Sequence, residues 1–573
     1  MRRAGHAVTR RAALGAWLAV AWVIAHAAPA DVGTPPGTAR VLVRLEDDAP
    51  LAELLARAAD ADAVLDEIVT RAPLRAIVRV RSGRARDAAR LAAEWSTAAR
   101  IRYAVAERFW PMELRRRHEP DDPLFPLQWP LDNTGQGGDH RADREGGDVN
   151  APEAWAYTLG SPDVVIAVLD DGVQLDHPDL VANIASAGRD FTVSPPVDGA
   201  QPRAPDDRHG TAVAGVAAAR GDNALGVTGI CPRCRILPVR VHGSSNLGTA
   251  AAFRYAVEQG AQIVTNSWGY TRAAARSIGG AADAAVRDAI DSAARDGRGG
   301  RGTLVVFGVT NESVDNCTPP HADISSLESV VAVGVSNHDD VLGGSGFGQC
   351  LDLVAPSRPM DRSTIGVPTT DRTGIDGHTA DDYFTDFGGT SAAAPLVAGI
   401  AGLLLSLNPA LTRADLVAIL ELTADKIDPA AAHYDATGFS PLAGYGRVNA
   451  ARALVPTARI RVEPERVAVG EPFTVIVTAS APFGVSSASW AGWHTGVAAL
   501  DAPHVRALRG DTVASATWSA LTVDQPGTYV LEADAASLPR ADEPAGYPRR
   551  ASETGARSGV PLIVVERADA ASR

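Results

Sequence analysis

The sequence predicts an α/β domain on a parallel sheet over roughly residues 120–454, with a small α+β unit before it and an all-β sandwich after it. Three observations carry this. First, DVVIAVLD (163–170), RILPVRV (235–241), AQIVTNSW (261–268), GTLVVFGV (302–309) and VVAVGVS (330–336) are short, β-branched and almost continuously apolar. Such runs suit strands covered on both faces. Second, helical stretches alternate with them, for example 209–219, 247–259 and 281–296, which places helices on both sides of one sheet. Third, composition changes after GYGRVNAARAL (444–454): RIRVEPERVAVGEPFTVIVTASA and PGTYVLEADAA alternate in period two between turn residues. That pattern predicts an antiparallel sandwich of immunoglobulin-like type over 458–566.

Residues 1–30 read as a signal peptide. Arg2, Arg3, Arg10 and Arg11 precede the apolar stretch Ala12–Ala25, and small-residue cleavage sites follow at Ala25-His26-Ala27 or Ala28-Pro29-Ala30. A membrane anchor is the rival reading, but the apolar run is short for a span. The expected product is secreted, extracellular or periplasmic, with no membrane anchor once the signal is removed. Residues 38–115 alternate strand and helix: ARVLVRL, a helix over 50–60, RAIVRVRS, a helix over 86–96, then IRYAVAERF. The charged, proline-containing RRRHEPDDP (115–123) reads as an exposed linker and a natural place for a cut.

The chain of 573 residues is too long for one core. Its formal charge of -14 argues against nucleic acid as a partner and against a basic membrane-binding face. Lys426 is the only lysine. Export makes the four cysteines candidate disulfides. Of the three pairings possible, Cys231–Cys234 with Cys317–Cys350 is preferred.

Four polar residues stand at the ends of these elements. IAVLDDGVQLDHPDL puts Asp170 at a strand end, and DDRHGTAVAG puts His209 at the front of a small-residue helix. VVFGVTNES puts Asn311 just past a strand, and GGTSAAAP puts Ser391 at the front of a long apolar helix. Alone, each has an ordinary reading as a turn former or cap. Together, in the order Asp, His, Asn, Ser, they outfit a nucleophile, a base, its orienting acid and an oxyanion donor.

With these motifs the chain resembles the subtilisin-like serine proteases (subtilases) over roughly 38–454. DDPLFPLQW, LDDG, NSWG, GRGTLVVF and DNC lean toward the kexin-like, proprotein-convertase branch. The resemblance implies a secreted serine endopeptidase made as a zymogen. Asp170, His209 and Ser391 would form the triad and Asn311 the side-chain oxyanion donor. Residues 38–115 would be the inhibitory propeptide, so the expected partners are protein or peptide substrates and the chain's own propeptide, on a monomer. Ser267, Trp268 and Gly269 would pair with substrate as an added strand. Cys317 and Cys350 stand where convertases form a disulfide. Two positions depart from the pattern: Thr310 precedes Asn311 where glycine is usual, and Ala212 follows His-Gly-Thr where His or Arg is usual. They define the alternative, a weak or inactive secreted binding protein on the same scaffold. An esterase using the same triad ranks lower.

The resemblance further implies one structural calcium ion, held by Asp122, Asp179, Asn223 and the carbonyls of Gly221, Leu225 and Val227; an all-oxygen set suits Ca2+. It places Asp171 and Asp206 at the second substrate pocket. At the first pocket the expected acids are missing: Tyr270-Thr271-Arg272 follows NSWG, and Pro320 and Gly348 stand where acids are usual, while Asp315 remains. A pairing of Arg272 with Asp315 would then favour cleavage after apolar or small neutral residues.

Overall fold

The computed structural model describes residues 40–45, 51–71, 74–80, 90–91, 94–95, 101–106, 117–136, 146–270, 283–319, 321–361, 364–464, 466–494, 499–522, 527–538, 547–548, 551 and 559–565. The chain divides into two compact units, Met1–Met112 and Glu113–Arg573. The proposed signal peptide lies outside the described residues.

In the first unit, strands β1 (Arg40–Leu45), β2 (Ala63–Arg71), β3 (Leu74–Val80) and β4 (Ile101–Ala106) form one sheet in the order β2-β3-β1-β4. Every pairing is antiparallel. Helix α1 (Leu51–Asp60) buries Leu54 and Ala58 in the same core as Val41, Val43 and Val78. The sequence reading missed β2. AVLDEIVTR breaks its apolar pattern with Asp66 and Glu67, and the β2–β3 register slips beside Glu67.

The second unit is built on an eight-stranded sheet. Its strands are β5 (Val165–Asp170), β6 (Arg189–Asp190), β7 (Val197–Asp198), β8 (Arg235–Arg240), β9 (Ile263–Asn266), β10 (Leu304–Gly308), β11 (Val330–Ser336) and β12 (Leu353–Pro356). The order is β12-β11-β10-β9-β5-β8-β6-β7, parallel except for the β6–β7 edge. Side chains alternate between two cores. Ile166 and Val168 point into one, and Ala167 and Leu169 into the other. Helices α2 (Ala151–Trp155), α3 (His209–Ala218), α6 (Thr390–Leu407) and α7 (Arg413–Thr423) contribute to the first core. Helices α4 (Asn246–Glu258) and α5 (Ala284–Gly300) contribute to the second.

From β5 the chain first builds outward through β6 and β8, then returns to the other side for β9. A crevice therefore opens at the carboxyl ends of β5 and β9, the usual place for ligands in an open α/β sheet. Helix α6 is the one helix among the described residues long and apolar enough to cross a bilayer, yet it is 83% buried inside the protein. It is the central core helix, and its first turn opens on the crevice.

Past the sheet, residues 457–565 fold as two sheets. One holds β15 (Thr457–Glu463), β17 (Phe473–Ser480) and β20 (Val513–Leu521). The other holds β16 (Arg466–Ala468), β22 (Gly559–Val565), β21 (Gly527–Ser537), β18 (Val485–His494) and β19 (Ala499–Ala507). Val462, Val475, Val477, Trp490 and Leu531 fill the space between them. This layer is hydrogen-bonded to the α/β layer: Asn408 donates to the Pro482 carbonyl at 2.7 Å, Tyr547 to the Leu454 carbonyl at 2.7 Å, and Thr512 to Asp415.

Candidate active site

Asp170 ends β5 and is buried; His209 opens α3. Their side chains meet, His209 Nδ1 to Asp170 Oδ1, at 2.8 Å. The close approach of helix to strand depends on Gly210. A Cβ there would fall 2.4 Å from the Gly172 carbonyl and 2.8 Å from Asp170 Cβ. Asp171, expected to face substrate, is instead buried under the helix. Its Oδ2 accepts the N–H groups of Arg208 (3.0 Å) and His209 (2.9 Å), and its Oδ1 accepts that of Gly210 (2.7 Å). It satisfies open donors at the start of α3 and so positions His209. Burial alone would lower the His209 pKa, but the adjoining carboxylates of Asp170 and then Asp171 overcome this and raise it to about 9.

Ser391 is the second residue of α6. Gly389 ahead of it has φ 66°, the left-handed region that glycine adopts without strain. Its N–H donates to the Arg358 carbonyl at 2.7 Å. Pro395 lies within the helix and has no N–H to give the carbonyl four residues earlier, that of Ser391. The Ser267 hydroxyl takes the vacated role, donating to Ser391 O at 3.0 Å. Ser267 therefore holds the Ser391 backbone. The Ser391 hydroxyl lies 3.5 Å from the Ser267 carbonyl.

Asn311 reaches the same helix start. Its Oδ1 accepts the Thr390 N–H at 2.8 Å and the Thr390 hydroxyl at 3.2 Å. With the oxygen so engaged, the amide Nδ2 is the group left to donate beside Ser391. Thr310 fits where glycine is usual because its neighbour gives way. A Cβ on Gly346 would meet the Thr310 methyl at 2.9 Å, and Gly346 N–H bonds the Thr310 carbonyl at 2.7 Å. Ala212 is fully buried on α3, in the core.

On the substrate side, Trp268 donates its indole N–H to the Leu169 carbonyl at 2.8 Å and packs edge-on against Phe307. This ties the chain leaving β9 to the end of β5. Gly269 is exposed. Beneath it stands a carboxylate that the sequence reading missed: Asp323 Oδ2 lies 3.0 Å from where a Cβ on Gly269 would be. Asp323 Oδ1 is held by Asn316 at 3.0 Å and by the Ser325 N–H at 2.9 Å and hydroxyl at 2.6 Å. Burial raises its pKa. Asp315 caps its own loop, accepting from Cys317 N–H and the Thr318 hydroxyl. Thr271, Arg272 and Pro320 lie outside the described residues. Asp206 is exposed three residues before His209, while its neighbour Asp207 is buried against Arg240 at 2.7 Å. Both disulfides, Cys231–Cys234 and Cys317–Cys350, are formed.

The expected calcium ligands converge away from the crevice. Asp122 accepts the N–H groups of Asp222 (3.0 Å) and Asn223 (3.4 Å); Asp179 accepts the Asn223 side-chain amide (2.7 Å) and Val227 N–H (3.0 Å). Burial, with the Asp122 charge adding to it, pushes Asp179 up to about 7. Among the described residues the Gly221, Leu225 and Val227 carbonyls accept no backbone hydrogen bond, whereas Gly226 O takes the Leu124 N–H at 2.7 Å. Two crowded carboxylates ringed by free carbonyls fit a hard divalent cation. Tyr383 lies near Asp179, whose charge adds to burial in raising the Tyr383 pKa. Tyr383 starts β14 (Tyr383–Phe387), whose other end, Phe387, lies edge-on to the His209 ring at 5.5 Å.

The family model described as "Subtilase family" matches residues 161–446. The chain is 34% identical over 369 residues to the "Calcium-dependent protease" of Trichormus variabilis, covering 60% of this chain and 53% of that one. It is 30% identical over 310 residues to "Thermitase" of Thermoactinomyces vulgaris, covering 53% and 93%. It thus spans about half the length of the first of these relatives and nearly all of the second. In fold, it resembles the crystal structure of a serine protease of Aeromonas sobria, with TM-score 0.50, 19% identity, and coverage of 74% of this chain and 93% of that one. On the match to thermitase along almost its whole length, this chain belongs to the subtilase family, Peptidase S8.

Proposed function

We propose that the protein is a secreted serine endopeptidase made as an inactive precursor. The observation that carries this is the Asp170–His209 contact; on the neighbouring strand end, Trp268 bonds the Leu169 carbonyl of β5 and Ser267 bonds the Ser391 carbonyl at the opening of α6. His209 takes the Ser391 hydroxyl proton on Nε2 as the oxygen attacks a peptide carbonyl. Asp170 holds Nδ1–H and stabilises the imidazolium. The Ser391 N–H and Asn311 Nδ2 donate to the oxyanion. His209 returns its proton to the leaving amine, and water then completes hydrolysis through the same base. Ser267, Trp268 and Gly269 offer an edge on which substrate lies as an added strand. A calcium ion held by Asp122, Asp179, Asn223 and the Gly221, Leu225 and Val227 carbonyls would neutralise that loop and brace it.

Asp323 revises the specificity reading. A buried carboxylate beneath Gly269, with one oxygen uncommitted, favours a cationic side chain immediately before the cut. Cleavage after Arg or Lys is therefore the reading that replaces cleavage after neutral residues.

Residues 38–115 act as the propeptide, released by self-cleavage in the 115–123 linker. The test is to purify the protein and its Ser391→Ala variant, follow chain length, and label with a fluorophosphonate. The wild type should shorten by roughly the first hundred residues and take the label; the variant should do neither. Full-length, unlabelled wild type would return the function to the binding-protein alternative.

A further inference from the structure

Two glycines precede Thr390 and Ser391, and one arginine touches both. Arg358 stands on the loop after β12 and is buried. Its guanidinium reaches the end of β14: Nε lies 2.9 Å from Asp386 Oδ1, and Nη2 donates to the Asp386 carbonyl at 3.1 Å. Nη1 donates to the Pro359 carbonyl at 3.2 Å. Gly388 packs against this side chain. A Cβ there would fall 2.7 Å from the Arg358 carbonyl oxygen, 2.9 Å from its Cβ and 3.1 Å from its Nε. The same loop takes both polar atoms of Gly389. The Gly389 N–H donates to the Arg358 carbonyl at 2.7 Å, and its carbonyl accepts the Ser357 hydroxyl at 2.7 Å.

We propose that Arg358 and Asp386 are positioning residues for the hydrolysis: their ion pair locks the Gly388–Gly389 turn and so aims the Ser391 N–H at the oxyanion. This rests on the peptidase reading above. Neither side chain touches a reacting atom. Glycine has the most backbone freedom of any residue, and Gly389, with φ 66° and ψ -170°, uses it. Two glycines in a row leave the opening of α6 soft unless something outside the helix fixes them. An oxyanion donor works because it is aimed before the reaction begins.

The choice of arginine fits this role. An apolar side chain would fill the space beneath Gly388 without the cost of burying a charge. It could not supply a rigid fork that meets a carboxylate and two carbonyls at once. The fork joins the loop after β12 to the end of β14, the two segments that flank the glycines.

Hydrolysis of a chromogenic peptide is compared in the full chain, Arg358→Met, Arg358→Lys, Asp386→Asn and the double variant Arg358→Met with Asp386→Asn. Rates are expressed per site titrated with a fluorophosphonate. Arg358→Met should lower kcat about tenfold or more and leave KM within about twofold. A peptidyl boronate, whose adduct with the serine oxygen is tetrahedral, should lose affinity in step with kcat. Arg358→Lys, which keeps the charge but not the fork, should recover part of the rate. The double variant should be no slower than Arg358→Met alone, because both changes open one clamp. A kcat per site within about threefold of wild type would overturn the proposal. So would a loss carried by KM with boronate affinity intact, or losses that multiply in the double variant. A merely structural role would lower the titrated fraction and leave kcat per site unchanged, which also overturns it. If Arg358→Met does not fold, the partly exposed Asp386 decides: Asp386→Asn with kcat per site equal to wild type overturns it. Wild type without hydrolysis refutes the peptidase reading itself, and so is told apart from failure of the clamp alone.

Discussion

Ser267 and Pro395 should be energetically coupled although they lie on different elements. The proline deprives the Ser391 carbonyl of its helical N–H, and the Ser267 hydroxyl supplies a replacement at 3.0 Å. Ser267→Ala leaves that half-buried acceptor unpaired, which costs about 1–2 kcal/mol. In a Pro395→Ala background the restored N–H at 395 closes the ordinary helical bond. The same Ser267→Ala change should then cost about 1 kcal/mol less, which is the coupling energy of the cycle. Denaturant unfolding of the four chains measures it. All four should carry Ser391→Ala, which stops autolysis and leaves the carbonyl in place. Additivity within about 0.3 kcal/mol would refute the exchange of one donor for the other.

Activity should climb with pH through the alkaline range, since only neutral His209 can accept the serine proton and its pKa is raised to about 9. A rising limb of kcat/KM near the ordinary histidine value of about 6.5 would contradict this. The same shift makes the His209 contribution to stability complete below the unfolded pKa and lost as pH rises through about 9. Asn311→Ala should lower kcat by about a hundredfold or more with little change in KM, measured on a short peptide ester. Asp323→Asn should erase preference for Arg or Lys in a peptide library while cleavage of other sequences persists; unchanged preference would remove its role. Chelation should lower the unfolding temperature and, through β14, blunt activity, both recovered with added Ca2+; an unmoved unfolding temperature would count against the site.

Residues fixed by local grammar were legible in the sequence. Asp170 ends an apolar run, and His209 and Ser391 each open a small-residue helix, so motif and position spoke together. The loop residues of the proposed calcium site come together as expected, with Asn223 and Val227 bonding Asp179. What depends on contacts between distant segments was not. Nothing in LDDG shows that the Arg208 N–H and the first two N–H groups of α3 close over Asp171. The tolerance of Thr310 lies in Gly346, thirty-six residues away, which makes room for its methyl. Asp323 was not singled out because nothing in its local sequence shows that it folds beneath Gly269, fifty-four residues earlier. Strand β2 was obscured by an adjacent pair of acids that a slipping register absorbs.

Helix α6 is both the heart of the core and the element that carries Ser391 at its opening, and this divides its amides sharply by exchange rate. Ser391 stands at its second position, where the N–H has no helical partner and must stay open to receive an oxyanion. Leu396 to Leu405 lie two turns deeper and are almost completely buried. In a hydrogen-exchange experiment those deeper amides should report global opening, and the Ser391 amide should exchange as a surface group does. Rigidity and access meet on one helix within a few residues. Heat should therefore abolish catalysis only when the whole α/β layer gives way, with no earlier loss of the site alone.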